Sequence, residues 1–298
     1  MSVAAVSTWT ILHRRSAAVR NWRESTLPFR RIGRLRTRIG GSGPTAVLLL
    51  HGLVATGDVF ATAPDALAVE HRVAVPDLLG FGRSLDETST EFATVDHIAA
   101  IDAVVEALDV ERPLAIGAHS MGSGLAMRYA AAHPGRVHKV VCIGAPIWRS
   151  PEAARDAISA AGPLARAFLL DERVAKRLCQ FNCAHRTLSG LMAATTSPRW
   201  PVPVARQASL HTWSAYYQAV TDQVIEIDWE ALLERLNDAG TRVSLVWGAE
   251  DPIGDVEYAL ELTAHFANLE IVRITGADHA LPSAQPDLLV RALKGGPE

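Results

Sequence analysis

Three residues far apart in the chain have the side-chain types that activate a hydroxyl for attack: Ser120, Asp251 and His279. A serine hydroxyl is a weak nucleophile unless it is held clear of the backbone and beside a base. Ser120 lies in Gly117-Ala118-His119-Ser120-Met121-Gly122, where an apolar run ends and a helical pattern begins. A sharp strand–turn–helix would present its hydroxyl, and small residues two before and two after (Ala118, Gly122) would relieve the crowded backbone. His279, in Gly276-Ala277-Asp278-His279-Ala280, follows the last predicted strand and is the candidate general base among eleven histidines. Asp251, in Trp247-Gly248-Ala249-Glu250-Asp251-Pro252, follows another strand by four residues. It is the candidate acid to orient that base, with Asp255, Glu250 and Asp77 as weaker competitors.

Acyl transfer puts negative charge on a carbonyl oxygen, which backbone N–H groups must meet. His51-Gly52 ends an early apolar run, so Leu53 is expected to supply one N–H donor. Met121, the first helical residue after Ser120, is expected to supply the other. His51 is read as a structural hydrogen-bonding residue. Asp77–Ser84, with Gly80 and Gly82, is read as a turn that braces the site.

These residues need a scaffold that brings several strand ends to one edge. Short apolar runs at Ala46–Leu50, Arg72–Pro76, Leu114–Ala118, Val137–Ile143, Val243–Trp247 and Glu270–Ile274 read as buried parallel strands. Helical patterns near Thr94–Leu108, Met121–His133, Trp229–Asp238, Val256–Phe266 and Ala284–Leu293 alternate with them. Such alternation implies an α/β fold, a mostly parallel sheet covered by helices on both faces. Arg34–Ile39 reads as an antiparallel edge strand leading in. Residues 147–226 have a helical composition without a clear strand and carry many aromatics. They read as a helical cap, in which Trp213 and Tyr217 are candidates to line a substrate pocket. The remaining core is expected at 34–146 and 227–298.

Residues 1–33 differ. From Arg14 to Arg38 there are nine arginines and one acid, Glu24. If residues 3–23 are helical, Val3, Val6, Trp9, Leu12, Val19 and Trp22 form a loose apolar stripe. A packed basic helix is the simpler expectation, and docking on a membrane surface the sharper one. The net charge of -3 argues against nucleic acid as a partner, since phosphate binding needs a basic footprint. Hydrophobic residues at 49% imply a packed core. The apolar start precedes its arginines, the reverse of a secretory signal, so a cytoplasmic location is expected. Cys179 and Cys183 are four apart and could share a helix face. Without a second cysteine pair nearby they are assigned to apolar packing, and no metal or organic cofactor is expected.

Taken together, His51-Gly52, the Asp77–Ser84 turn, Ala118–Gly122, Gly248–Asp251 and Gly276–His279 resemble the α/β-hydrolase superfamily, in particular its cap-bearing esterases and C–C bond hydrolases. The resemblance covers roughly residues 34–294, with the acid and base following the nucleophile in the order Ser, Asp, His. It implies a small-molecule substrate, an ester first. A ring-fission dienoate cleaved at a C–C bond is the alternative, although Ala280 stands where such enzymes often carry tryptophan. A ligand receptor on the same scaffold is a third possibility. Members with a nucleophilic aspartate, such as haloalkane dehalogenases, are disfavoured by Ser120.

Overall fold

The computed structural model describes residues 17–294. Eight strands form one sheet: β1 (Phe29–Ile32), β2 (Leu35–Gly40), β3 (Thr45–Leu50), β4 (His71–Pro76), β5 (Leu114–His119), β6 (Val137–Ile143), β7 (Arg242–Gly248) and β8 (Leu269–Ile274). Their order is β1-β2-β4-β3-β5-β6-β7-β8. β1–β2 and β2–β4 are antiparallel, and every later pairing is parallel. The strand runs read from sequence are all present, with ends shifted by at most one residue.

Each central strand is buried on both faces, and its side chains alternate between two cores. Leu48, Leu50, Ile116, Ala118, Val140 and Cys142 point into one. Val47, Leu49, Ala115, Val141 and Ile143 point into the other. Burying both faces is what produces uninterrupted apolar runs instead of polar alternation. The helices are α1 (Ala17–Arg20), α2 (Ala63–Leu67), α3 (Thr94–Ala107), α4 (Met121–Ala132), α5 (Pro151–Ala160), α6 (Pro163–Leu169) and α7 (Glu172–Ala184). They continue with α8 (Arg186–Thr196), α9 (Val202–Arg206), α10 (Trp213–Val220), α11 (Trp229–Asp238), α12 (Val256–Leu262), α13 (Leu281–Ala284) and α14 (Pro286–Lys294). Ile101 of α3, Leu125 of α4, Leu233 of α11 and Leu262 of α12 fill the first core. Leu67 of α2 and Leu289 and Leu293 of α14 fill the second. Among the described residues no helix is long and apolar enough to cross a membrane.

One region departs from the sequence expectation. Residues 29–32, assigned to a basic arm, form β1, which pairs with β2 across a turn where Gly33 has φ 54°. The arginine-rich FRRI leaves no apolar signal. Phe29 is instead covered by the Arg38 and Arg83 guanidinium groups, 4.1 and 4.3 Å from its ring centre. Most of the expected helix over residues 3–23 lies outside the described residues.

The stretch between β6 and β7 joins the sheet through the strand ends. It is helical, with α5–α10 and its own apolar cluster of Ala154, Ile158, Tyr216, Val220 and Ile225. That cluster packs on Leu53 and Val54, beyond β3. Gln207 donates to the buried Asp58 (2.7 Å), and Gly82 N–H donates to Leu210 O (2.8 Å). Polar bonds therefore hold this segment to the loops at the carboxyl ends of β3 and β4.

Candidate active site

β5 ends at His119, and the chain turns through Ser120 with φ 52° and ψ −124° into α4. A non-glycine residue in such a backbone conformation costs about 1–3 kcal/mol and persists only where the surroundings enforce it. Ser120 N–H donates to Ile143 O of β6 (2.8 Å), and Ser120 O accepts from Ser123 N–H (2.9 Å). The turn packs so closely on β3 that a Cβ on Gly122 would lie 2.5 Å from Leu50 O and 2.6 Å from His51 O. A Cβ on Gly52 would lie 3.0 Å from Ser120 Cβ. Both glycines are required by close approach.

Asp251 and His279 arrive from the loops after β7 and β8. His279 Nδ1 and Asp251 Oδ2 are 2.9 Å apart, and Asp251 Oδ1 accepts from Ile253 N–H at 2.9 Å. The Asp251 side chain is only 1% exposed. With an ionised carboxylate as acceptor, Nδ1 carries the ring proton, and Nε2 keeps its lone pair. Ser120 and His279 line one cavity. The competing acids are engaged elsewhere. Asp255 caps α12 through Tyr258 N–H (3.0 Å), and Glu250 is exposed. Asp77, fully buried, accepts from Gly57 N–H and Arg83 N–H, each at 2.8 Å, and so braces two turns.

Gly144, just beyond β6, packs against the Asp251–His279 pair, a contact that sequence reading passed over. Its φ is 59°, and a Cβ there would lie 2.8 Å from both Asp251 Oδ2 and His279 Nδ1. Gly144→Ala should push this pair apart and lower kcat by about 10²-fold, because misplacement on the order of 1 Å has that cost. Gly135 also has a positive φ, but a Cβ there meets nothing within 4 Å. Gly135→Ala should therefore lower the melting temperature while leaving kcat close to wild type. Kinetics and thermal melts on the two variants check this contrast.

Two histidines frame the site without pairing with Asp251. His51 accepts from Leu78 N–H at Nε2 (2.8 Å) and donates from Nδ1 to Gly52 O (2.8 Å), tying the β3 and β4 loops together. Burial lowers its pKa, against the opposing pull of Asp77, which favours the neutral ring this arrangement needs. His119, next to Ser120 on the tight turn, joins the cavity wall. Its Nε2–H donates to His279 O (3.0 Å), and the two rings lie 4.7 Å apart. Burial, then the neighbouring His279, pushes the His119 pKa well below the ordinary value. Its adjacency to Ser120 was the only sequence signal for this contact.

The cavity holds about 230 Å³. Leu53, Val54 and Ala55 form its β3 side, and Trp200, Val204 and Ala205 come from the helical segment. Among the described residues that line it, none is Lys, Arg, Asp or Glu. Leu53 therefore borders the same cavity as Ser120. Met121 is the first residue of α4, where helix N–H groups lack an intrahelical acceptor. Trp213 and Tyr217 are not brought to this cavity. They stack on each other with ring centres 5.2 Å apart, and Tyr217 is 40% exposed. Trp200 takes the position expected of them, with its ring 5.8 Å from His119 and 6.4 Å from His279. One aromatic among many in a helical stretch gives no sign of which one faces inward.

Residues 45–283 match the profile of the alpha/beta hydrolase fold. The chain belongs to the α/β-hydrolase family. An uncharacterized protein of Mycobacterium tuberculosis is 34% identical over 129 residues, 43% of this chain and 37% of that protein. The 2-hydroxymuconate semialdehyde hydrolase of Pseudomonas sp. (strain CF600) is 36% identical over 109 residues, 36% of this chain and 34% of the enzyme. The matches thus span little more than a third of these relatives' lengths. Among solved structures, E-2-(acetamidomethylene)succinate hydrolase superposes with a TM-score of 0.66 at 22% identity, covering 89% of this chain and 97% of that one. An esterase from Rhodococcus sp. ECU1013 superposes at 0.58 and 22% identity, covering 86% and 92%. At these identities the superpositions speak for the fold alone.

Proposed function

We propose that this α/β-hydrolase cleaves small-to-medium apolar carboxylic esters through an acyl-enzyme on Ser120. The observation that carries the reading is the left-handed Ser120 backbone at the wall of a cavity that also contains His279, itself paired with Asp251. His279 Nε2 takes the Ser120 proton as Oγ attacks the ester carbonyl. Asp251 holds the ring in the required tautomer and stabilises the imidazolium. The N–H groups of Leu53 and Met121 receive the oxyanion. His279 then protonates the departing alcohol. Water next attacks the acyl-enzyme, with His279 again taking the proton, and the acid is released.

The cavity wall supports an apolar acyl group. Each methylene removed from water contributes about 0.8 kcal/mol, roughly fourfold in kcat/KM, until the space is filled. Overpacking then reverses the trend. A ring-fission dienoate or a succinate derivative carries carboxylates, and the lining residues offer no cation to pair with them. This favours the ester over the C–C substrate. In this reading residues 147–226 act as a cap that limits chain length, with Trp200 as the stop.

A p-nitrophenyl ester series from acetate to dodecanoate tests the reading. Wild type should show kcat/KM rising and then falling with acyl length, over many turnovers. Trp200→Ala should move the optimum to longer chains. An unchanged optimum would remove Trp200 from the acyl pocket, and a single turnover would favour a receptor.

A further inference from the structure

Outside the Ser120 site, three side chains that ligate metals converge between α7 and the segment before α10. Cys179 and Cys183 stand one turn apart on α7, and their Sγ atoms are 3.7 Å apart. His211 brings Nδ1 to 3.5 Å from Cys179 Sγ. One ligand atom from each residue lies within 4.8 Å of the other two. Tetrahedral zinc, with Zn–S of about 2.3 Å and Zn–N of about 2.0–2.1 Å, sets S···S edges of about 3.8 Å and S···N edges of about 3.5 Å. Two of the three edges already match. Sequence alone supplied only the cysteine pair, and the fold delivers the third ligand from 28 residues further along the chain.

His211 is held from two sides, and on the α7 side its carbonyl accepts from Cys183 Sγ at 2.9 Å. It forms an isolated antiparallel bridge with Phe81 in the turn after β4, and its ring packs 6.3 Å from Phe81 and 5.3 Å from Tyr216. Nδ1 has a second neighbour, the Thr212 carbonyl at 3.3 Å, which an ion would replace. Arg186 donates to Cys183 O (2.9 Å) and His211 O (3.4 Å), bracing the two backbones that carry ligands.

We propose that Cys179, Cys183 and His211 bind one zinc-like cation that fastens α7 to the segment before α10. Two thiolates and one imidazole suit Zn²⁺ and exclude Mg²⁺ or Ca²⁺, which take oxygen ligands. Binding releases two thiol protons for each Zn²⁺ and leaves its charge balanced by the two thiolates. Cys179 and His211, with Asn182, also line a cavity of about 320 Å³. That cavity shares Leu53, Val54 and Ala208 with the one at Ser120. The cation would therefore stiffen the wall between the two spaces. The site stands whether or not Ser120 is a nucleophile.

The test uses the full chain, stripped with a chelator and titrated with Zn²⁺ against a chromophoric competitor, and separately with Co²⁺. Wild type should bind one Zn²⁺ per chain and raise its melting temperature. The Co²⁺ form should show a thiolate-to-cobalt charge-transfer band. Cys179→Ala with Cys183→Ala should abolish the band and lower zinc affinity at least 100-fold. His211→Gln provides a second variant if the cysteine pair is needed for folding, and it should weaken binding at least tenfold. Cys142→Ala and His279→Ala should bind as wild type does. The proposal is overturned if wild type gives no charge-transfer band. It is equally overturned if zinc binding survives loss of both cysteines, or is lost with His279.

Discussion

Asp251→Asn is expected to lower kcat by about 10²–10⁴-fold without unfolding the protein. Asparagine keeps the size of the side chain but removes its charge. With its amide nitrogen turned toward His279, it would favour the tautomer that places the proton on Nε2, facing Ser120. The base would then have no lone pair to offer. Both Asp251 oxygens already have partners, His279 and the Ile253 N–H, so the substituted side chain has little freedom to escape. Asp77→Asn makes the informative comparison. Asp77 accepts from Gly57, from the Arg83 backbone and from the Arg83 side chain at 3.3 Å, away from the base. Its loss should lower the melting temperature, while folded, purified protein should keep kcat within about tenfold of wild type, as expected for a brace that does not touch reacting atoms. Circular dichroism melts paired with p-nitrophenyl ester kinetics separate the two outcomes. The reverse ranking would transfer the orienting role to Asp77.

Ser120→Ala should have the larger effect, about 10⁴-fold or more on kcat, because the three residues act as a unit. Its stability should change little or improve. Alanine does not relieve the φ of 52°, but it removes a hydroxyl that makes no hydrogen bond needed to cap α4. A fold as stable as wild type with turnover nearly gone is the signature of a residue kept for chemistry. Retention of more than a tenth of wild-type turnover would place the nucleophile elsewhere.

Sequence showed the scaffold well because its signals are local. A strand buried on both faces must be apolar throughout, so Val137–Ile143 and its neighbours stand out without any knowledge of their partners. Ser120, Asp251 and His279 were legible for a related reason: each lies just beyond one of those strands, and parallel strands deliver their carboxyl ends to the same edge. Contacts that exist only once the chain has closed were not legible. Gly144 reads as an ordinary turn glycine until Asp251 and His279 arrive against it. His119 gains its partner from 160 residues away. Trp200 and Trp213 are chemically alike, and only the packing of α8–α10 decides that Trp200 faces the cavity. β1 escaped notice because Phe29 is held by arginines instead of an apolar run.

The central claim is that Ser120 becomes acylated, and trapping the covalent species tests it most directly. Full-length protein treated with a small alkyl fluorophosphonate should gain one adduct per chain and lose esterase activity in proportion to labelling. Peptide mapping by mass spectrometry should place the adduct on the peptide containing Gly117–Gly122, at Ser120. Ser120→Ala should take up none. Stoichiometric labelling of another residue, or full turnover by protein whose Ser120 is completely labelled, would contradict the account.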